Sequence, residues 1–139
     1  MRSPRAARVS LILLCLSAIS VGLPATVAPR SFYDDFPFFA AWVELLPPYN
    51  EHLVTDVGGL YLGFAVMLAF AAWTLEVTLV QAVACAWLLS AALHLGFHAH
   101  HLDGFSTPDA AGELTSLGFL VVLPAVVLWA AAPRGQMAP

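Results

Sequence analysis

Apolar residues fill most of this chain in long runs that short polar stretches separate. A membrane-spanning helix needs about 20 consecutive, mainly apolar residues. The run over residues 57–97 is about twice that length, and Glu76 interrupts it. We therefore expect a helical hairpin that turns near residues 73–78. The predicted spans are residues 9–27, 51–74, 77–100 and 108–132.

Polar residues mark the start of two of these helices. Asn50 follows two prolines and can cap the second span, because an asparagine side chain accepts a hydrogen bond from the first free backbone N–H groups. Thr107 is a suitable N-cap for the last span, with Pro108 in its first turn and Asp109 at the positive end of the helix dipole.

An aromatic segment, residues 28–50, separates the first and second spans. Phe39, Trp42, Val43 and Leu46 recur in it at helical spacing. Aromatic residues at this density are typical of the lipid headgroup level. The pattern predicts an interfacial helix that caps the bundle, and the alternative is a groove for a lipid or another hydrophobic ligand.

The composition supports a membrane protein. Hydrophobic residues make up 60% of the 139 residues and charged residues 10%, far from the balance of soluble domains. Lysine is absent, so no basic patch is available for nucleic acid. Cys15 and Cys85 each lie in an apolar run, where we expect them to be reduced and structural.

The charges predict an orientation, because cytoplasmic loops are enriched in arginine and lysine. Arg2, Arg5, Arg8 and Arg134 would lie on the cytoplasmic side of the plasma membrane, together with both termini. A cleaved signal peptide over residues 1–28 is the competing interpretation. The acidic residues at the opposite, outer face are Asp34, Asp35, Glu44, Glu51, Asp56, Asp103, Asp109 and Glu113.

Four of the five histidines lie within residues 94–101. Since a helix turns by about 100° per residue, His94, His98 and His101 share one face. This face is predicted to lie at the outer end of the third span.

A second polar pair, His52 and Asp56, shares a face at the outer start of the second span. Gly59 and Gly63 lie on the same face and form a small-xxx-small pattern, which predicts close packing on the third span. His52 and Asp56 would then face His94 and His98 at the same depth, and Glu113 would complete the ring.

Histidine and carboxylate side chains are ligands for transition metals, so these residues predict a site for zinc, iron, copper or haem. Two other interpretations stay open: a proton-responsive or proton-relay cluster, and a structural network of polar groups. No nucleophile elbow surrounds Ser90, and no catalytic residue is predicted. The candidate metal ligands are His52, Asp56, His94, His98, His101 and Glu113.

Three stretches, FYDDFP, PPYNEHLVTDVGGLYLG and HLGFHAHHLDGFSTPDA, resemble a group of small four-helix membrane proteins from actinobacteria that have no assigned function. The resemblance covers residues 32 to about 123. It implies that the two polar clusters belong to one shared site. The residues whose counterparts recur in that group are Asn50, Glu51, His52, Asp56, His94, His98, His101, Asp103 and Gly104.

The expected fold is therefore all-α, a four-transmembrane-helix bundle with an extracytoplasmic interfacial segment between helices 1 and 2. The expected function is metal or haem binding at the outer face, without a predicted enzymatic activity. The alternatives are a non-catalytic assembly or envelope component and a pH-responsive module. The expected partners are the lipid bilayer and either a second copy or another membrane protein, but no nucleic acid.

Overall fold

The computed structural model describes residues 1–46 and 48–133, over which it contains helices and no strands. This confirms the all-α class, and four of the helices are long and apolar enough to cross a membrane. The helices in the described residues are α1 (Pro4–Val27), α2 (Pro29–Asp35), α3 (Glu51–Thr74), α4 (Val77–Ala99) and α5 (Thr107–Ala131).

Each of the four long helices begins at a side-chain cap, and Asn50 and Ser106 provide two of these caps. The Asn50 side chain accepts a hydrogen bond from the backbone N–H of Leu53 at 3.2 Å and caps α3. Helix α5 is capped by Ser106, one residue before the predicted Thr107, through a bond from the N–H of Asp109 at 3.3 Å. The local sequence thus fixes where α3 and α5 start.

A tight turn at Leu75 and Glu76 joins α3 to α4. Leu75 takes a left-handed conformation, φ 50°, which ends α3. The Glu76 carboxylate then caps α4, since it accepts hydrogen bonds from the backbone N–H groups of Leu79 at 2.6 Å and Thr78 at 3.0 Å. These bonds stabilise the ionised form and lower the pKa of Glu76 from its ordinary value.

Arg2, Arg5 and Arg8 lie at one end of the bundle, whereas Arg30 lies toward the other. The Arg8 Nε donates to the backbone oxygen of Ala72 at 3.0 Å, and the Ser3 N–H donates to that of Ala130 at 3.1 Å. The start of α1, the α3–α4 turn and the end of α5 therefore lie together. We call this the arginine end, and the opposite end the acidic end; Arg134 lies outside the described residues.

The buried core lies in the half of the bundle nearest the arginine end. Its fully buried side chains include Leu11 and Leu14 of α1, Leu68 of α3, Val80 of α4 and Val127 of α5. Within a membrane, close packing of such side chains holds helices together, because lipid offers no hydrophobic driving force between them. The half nearest the acidic end contains a large cavity.

Helix α3 packs mainly on α1, and their contact depends on two glycines. A Cβ atom at Gly22 would lie 2.9 Å from the backbone oxygen of Gly58. The predicted packing through Gly59 and Gly63 is wrong, because a Cβ at either would meet nothing within 4 Å. A shift of one residue turns the helix face by about 100°, so the contact surface contains Gly58 and leaves its neighbour open.

We call residues 28–50, between α1 and α3, the outer segment; among its described residues it is helical only at its start, in α2. The predicted helix over residues 39–46 is wrong, because residues 36–46 form turns and non-helical backbone instead. Phe38, Phe39 and Ala41 have φ angles of 47°, 66° and 56°. These left-handed conformations interrupt a right-handed helix, so the spacing of the aromatic residues does not create one continuous stripe.

Candidate functional site

A histidine and a glutamate meet inside the bundle near its acidic end. Nδ1 of His98, in the last turn of α4, lies 2.6 Å from Oε1 of Glu113, near the start of α5. Their side chains are 7% and 5% exposed, respectively. The two residues meet because a short connection makes α4 and α5 antiparallel neighbours.

This pair leaves one buried acceptor unused. Oε2 of Glu113 has no hydrogen-bond partner among the described residues. A buried carboxylate is costly unless its charge is balanced and its oxygens accept hydrogen bonds. A protonated His98 imidazole can balance the charge of the carboxylate, but His98 contacts Oε1 and leaves Oε2 without a donor. A ligand that donates a hydrogen bond can satisfy this oxygen.

The pair lies on the wall of a cavity of about 990 Å³ that separates α3 from α4 and is also lined by residues of α1, α2, α5 and the segment that precedes α3. Small-molecule sites have volumes of roughly 300–1,000 Å³. The cavity forms because α3 packs mainly on α1 and α4 mainly on α5, so α3 and α4 contact each other little. Toward the arginine end they meet where the Trp87 ring lies 5.8 Å from that of Tyr61 and 5.4 Å from that of Phe64.

One face of α4 supplies part of the polar wall of this cavity. Trp87, Ser90, His94 and His98 follow one another at intervals of three or four residues, so they share a face of the helix, and all four line the cavity. The facing wall is mainly apolar. It consists of Leu53, Val54, Val57, Leu60, Tyr61 and Phe64 of α3.

The cavity lining contains no permanent positive charge among the described residues. None of the described lining residues is an arginine, and the chain has no lysine. Arg30, which also lies toward the acidic end, donates to Asp34 at 2.7 Å. Apart from tyrosines, the titratable groups of the lining are His94, His98 and Glu113.

The outer segment covers the cavity at the acidic end, and Trp42 fastens it to α5. The Trp42 Nε1 donates to Oδ1 of Asp109 at 3.1 Å, and the Ser106 hydroxyl donates to Oδ2 of the same carboxylate at 2.5 Å. The Trp42 ring lies so close to Gly112 that a Cβ there would be 3.2 Å from its Cη2. The missing side chain at Gly112 thus makes room for the indole.

The structure brings three of the predicted site residues together. His94 lies beside His98 on α4, with ring centroids 4.5 Å apart, and Glu113 contacts His98 from α5. All three line the cavity. Their role as metal ligands stays a prediction.

His52 and Asp56 do not join this group. They contact each other at 3.4 Å, and their side chains are 83% and 57% exposed. The prediction that they face the histidines of α4 is wrong, because α3 turns its other side, with Leu53 and Val57, toward the cavity.

His101 is also turned away from the buried pair. Helix α4 ends at Ala99, so the helical geometry that placed His101 with the other histidines no longer applies. Its ring stacks on Phe97 with centroids 4.0 Å apart, and its Nδ1 lies 2.8 Å from the Phe97 backbone oxygen. His101 is therefore held at the exposed end of the helix.

A metal centre is not assembled in the described part of the chain. Over residues 1–46 and 48–133, no group of three or more His, Cys, Asp or Glu side chains is placed to hold a metal ion. A protein zinc site usually needs three or four such ligands. The geometry consequently offers a polar pair beside an apolar space instead of a coordination shell.

The sequence predicts a groove for a hydrophobic ligand as the alternative for residues 28–50, several of which line the cavity, but it does not predict the space between α3 and α4 or the contribution of Trp42 and Trp87 to it. The spacing of Trp87, Ser90 and His94 was a usable signal, since it continues the face of His98 toward the arginine end. The contact between Trp42 and Asp109 joins distant parts of the chain and left no local pattern. Comparisons with protein families, with curated proteins and with solved structures find no match to this chain.

Proposed function

We propose that this chain is a multi-pass membrane protein that binds an amphipathic small molecule in the cavity between α3 and α4. The observation that carries the proposal is the buried His98–Glu113 pair on the wall of a mainly apolar cavity of about 990 Å³. The apolar body of the ligand lies along α3, and its polar group reaches the pair. For a ligand that arrives from the lipid, close packing of its apolar body in the cavity and the hydrogen bonds of its polar group supply the affinity.

The gap between α3 and α4 gives such a molecule a route from the lipid. Leu60 lines the cavity, yet it is 67% exposed, and Val57 lines it while 42% exposed. Both residues lie in a helix long and apolar enough to cross a membrane. A molecule dissolved in the bilayer can therefore move sideways into the cavity without crossing the outer segment.

The orientation of the chain is part of this proposal. With the arginine end in the cytoplasm, as the positive-inside rule favours, the cavity lies in the outer half of the plasma membrane. Both termini are then cytoplasmic. The resemblance to small actinobacterial four-helix membrane proteins is consistent with this arrangement and stays a prediction.

Metal or haem binding, the first choice from the sequence, has less support than amphiphile binding. His98 and Glu113 already engage each other, and His52 and Asp56 point away from them. Of the candidate ligands in the cavity, this leaves His94. A site for a single metal ion would need further ligands besides His94. The assembly and pH-responsive roles rest on the sequence alone and stay predictions.

The test uses the fluorescence of Trp87, which lies at the inner end of the cavity. The probes are ω-bromododecanol, ω-bromododecanoate and ω-bromododecylammonium, because bromine quenches a tryptophan that it contacts. We expect at least one probe to quench the purified protein saturably in detergent micelles. Trp87→Phe should remove the saturable part, and Trp129→Phe should retain it.

Two matched pairs of variants separate the cavity from the lipid-facing surface. Ala91 lines the cavity and neighbouring Ala92 is exposed outside the lining, so Ala91→Phe should abolish saturable quenching while Ala92→Phe preserves it. On α3, Val57→Phe and Val66→Phe form the corresponding pair. The proposal is wrong if no probe quenches Trp87 saturably, or if the filling variants bind as the wild type does.

A further inference from the structure

The cavity restricts the head group of its ligand as well as its apolar body. We infer that the ligand is an uncharged amphiphile whose polar group is a hydroxyl, and that this hydroxyl donates a hydrogen bond to Oε2 of Glu113. The inference rests on the proposed function and adds the chemical class of the ligand. It excludes phospholipids and fatty-acid anions as the preferred occupants.

The charges in the cavity argue against an anionic head group. A phosphate or carboxylate is usually bound by arginine, lysine or a cluster of N–H donors, and the described lining offers no arginine. Arg30 is engaged by Asp34. An anion would also approach the Glu113 carboxylate in a space of low dielectric constant, where like charges repel strongly.

A cationic head group is disfavoured for a related reason. The His98 imidazole lies 2.6 Å from the Glu113 carboxylate, and a histidine–glutamate pair that shares one proton has no net charge. An ammonium group would therefore add an unbalanced charge to a mainly apolar cavity, and such burial is costly. Its attraction to Glu113 is already offset by the imidazole.

Among uncharged head groups, Oε2 of Glu113 favours one that can donate a hydrogen bond. Three buried polar atoms of the lining lack a hydrogen-bond partner among the described residues: Oε2 of Glu113, Nδ1 of His98 and Nε1 of Trp87. Of these three, Oε2 of Glu113 is the carboxylate oxygen that needs a donor. A hydroxyl can donate to this oxygen, whereas an ether or ketone of the same size cannot. An ether or ketone would leave the carboxylate oxygen unsatisfied, which weakens binding.

The position of Trp87 sets the direction in which the chain of the ligand runs. Trp87 and His98 share one face of α4 and are separated by about 16 Å along its axis, since the rise is about 1.5 Å per residue. Both line the cavity. A hydroxyl at Glu113 thus directs the apolar chain along α4 toward Trp87, where a terminal bromine quenches the indole.

The experiment compares head groups on one chain. Saturable quenching is measured with ω-bromododecanol, its methyl ether, ω-bromododecanoate and ω-bromododecylammonium, with affinities expressed as mole fraction in the micelle so that unequal partitioning cancels. We expect the alcohol to bind about tenfold more tightly than each of the other three, because a hydrogen bond to a charged acceptor is worth about 1.5 kcal/mol or more.

Two double variants test the residues responsible. His98→Leu with Glu113→Leu removes the pair without leaving a lone buried charge, so the preference for the alcohol over the ether should fall to about one while the ether still binds. The control, His52→Leu with Asp56→Leu, removes the exposed pair on α3 and should retain the tenfold preference. Glu113→Gln is a conservative second variant and should lower the preference several-fold.

The outcomes separate this inference from the proposed function. Tighter binding of the acid or the amine, with quenching of Trp87 intact, overturns the hydroxyl assignment and leaves the cavity as a binding site. A preference for the alcohol that survives loss of both His98 and Glu113 also overturns it. If none of the four probes quenches Trp87 saturably, the proposed function itself fails.

Discussion

Replacing Gly58 by alanine should separate α1 from α3 and destabilise the bundle. A Cβ at Gly58 would lie 2.8 Å from the backbone nitrogen of Thr26 and 3.0 Å from the backbone carbonyl carbon of Ala25, and closer still to the Thr26 Oγ1. The hydroxyl is already bound to the Gly22 backbone oxygen at 2.7 Å. A change of side-chain rotamer cannot relieve contacts with backbone atoms, so the helices must move apart.

The magnitude follows from two opposing terms. Overpacking a close contact costs about 1–3 kcal/mol, and the rigid backbone of α1 places Gly58→Ala near the upper value. The higher helix propensity of alanine relative to glycine raises the free energy of unfolding by about 1 kcal/mol. The net expected loss is about 2 kcal/mol. Gly59→Ala, where the Cβ meets nothing within 4 Å, should instead gain up to about 1 kcal/mol.

The assay is reversible unfolding in mixed micelles, in which a denaturing detergent is titrated and helix content is followed by circular dichroism. Gly59→Ala and Gly63→Ala are the matched controls, because they make the same chemical change on the open side of α3. The packing assignment would be refuted if Gly58→Ala were as stable as Gly59→Ala. It would equally fail if the Gly59 variant were the less stable of the two.

Three further predictions concern the helix cap, the buried pair and the outer segment. The pKa of Glu76 is lowered in the folded protein. Its ionised form therefore stabilises the fold, and this stability is lost as the pH falls through the lowered pKa. In thermal unfolding measured over an acid titration, the Glu76→Gln variant should lose less stability than the wild type. His98→Leu should cost about 3 kcal/mol, since it leaves Glu113 buried alone, and adding Glu113→Leu should restore most of this loss in the same mixed-micelle assay; equal stability of the single and double variants would count against a coupled pair. Trp42→Phe removes the hydrogen bond to Asp109, so amide exchange in the outer segment should become faster, by a factor that corresponds to about 1 kcal/mol, and unchanged exchange would argue against the fastening role.

The ends of the helices could be predicted because they depend on neighbouring residues. Asn50 caps α3, and the apolar run after it ends at Thr74, as the sequence indicates. Glu76 is predictable as a turn residue because it interrupts a long apolar run. Signals of this kind need only the local chain, its capping groups and the length that a bilayer requires.

The pairing of the helices could not be predicted in the same way. A helix that is apolar on all sides carries no polar face to show which side meets a neighbour. The glycines illustrate this, because Gly58 packs against α1 while Gly59, the next residue, is open. The observed face of α3 differs from the predicted one by about 100°, the angle between neighbouring residues of a helix. His52 therefore lies on the exposed side of α3, and other residues of α3 line the cavity.

The glycine contact and the cavity have a common origin in how the helices are paired. Gly58 holds α3 against α1, and the His98–Glu113 pair joins α4 to α5, while the turn at Leu75 forces α3 and α4 together only at the arginine end. The two helices therefore separate toward the acidic end, and the space between them is the cavity. A displaced α3 should change that space, so Gly58→Ala should weaken probe binding as well as lower stability. Gly59→Ala should do neither, and a Gly58 variant that is destabilised yet binds every probe with unchanged affinity would show that the α1–α3 contact does not set the width of the cavity.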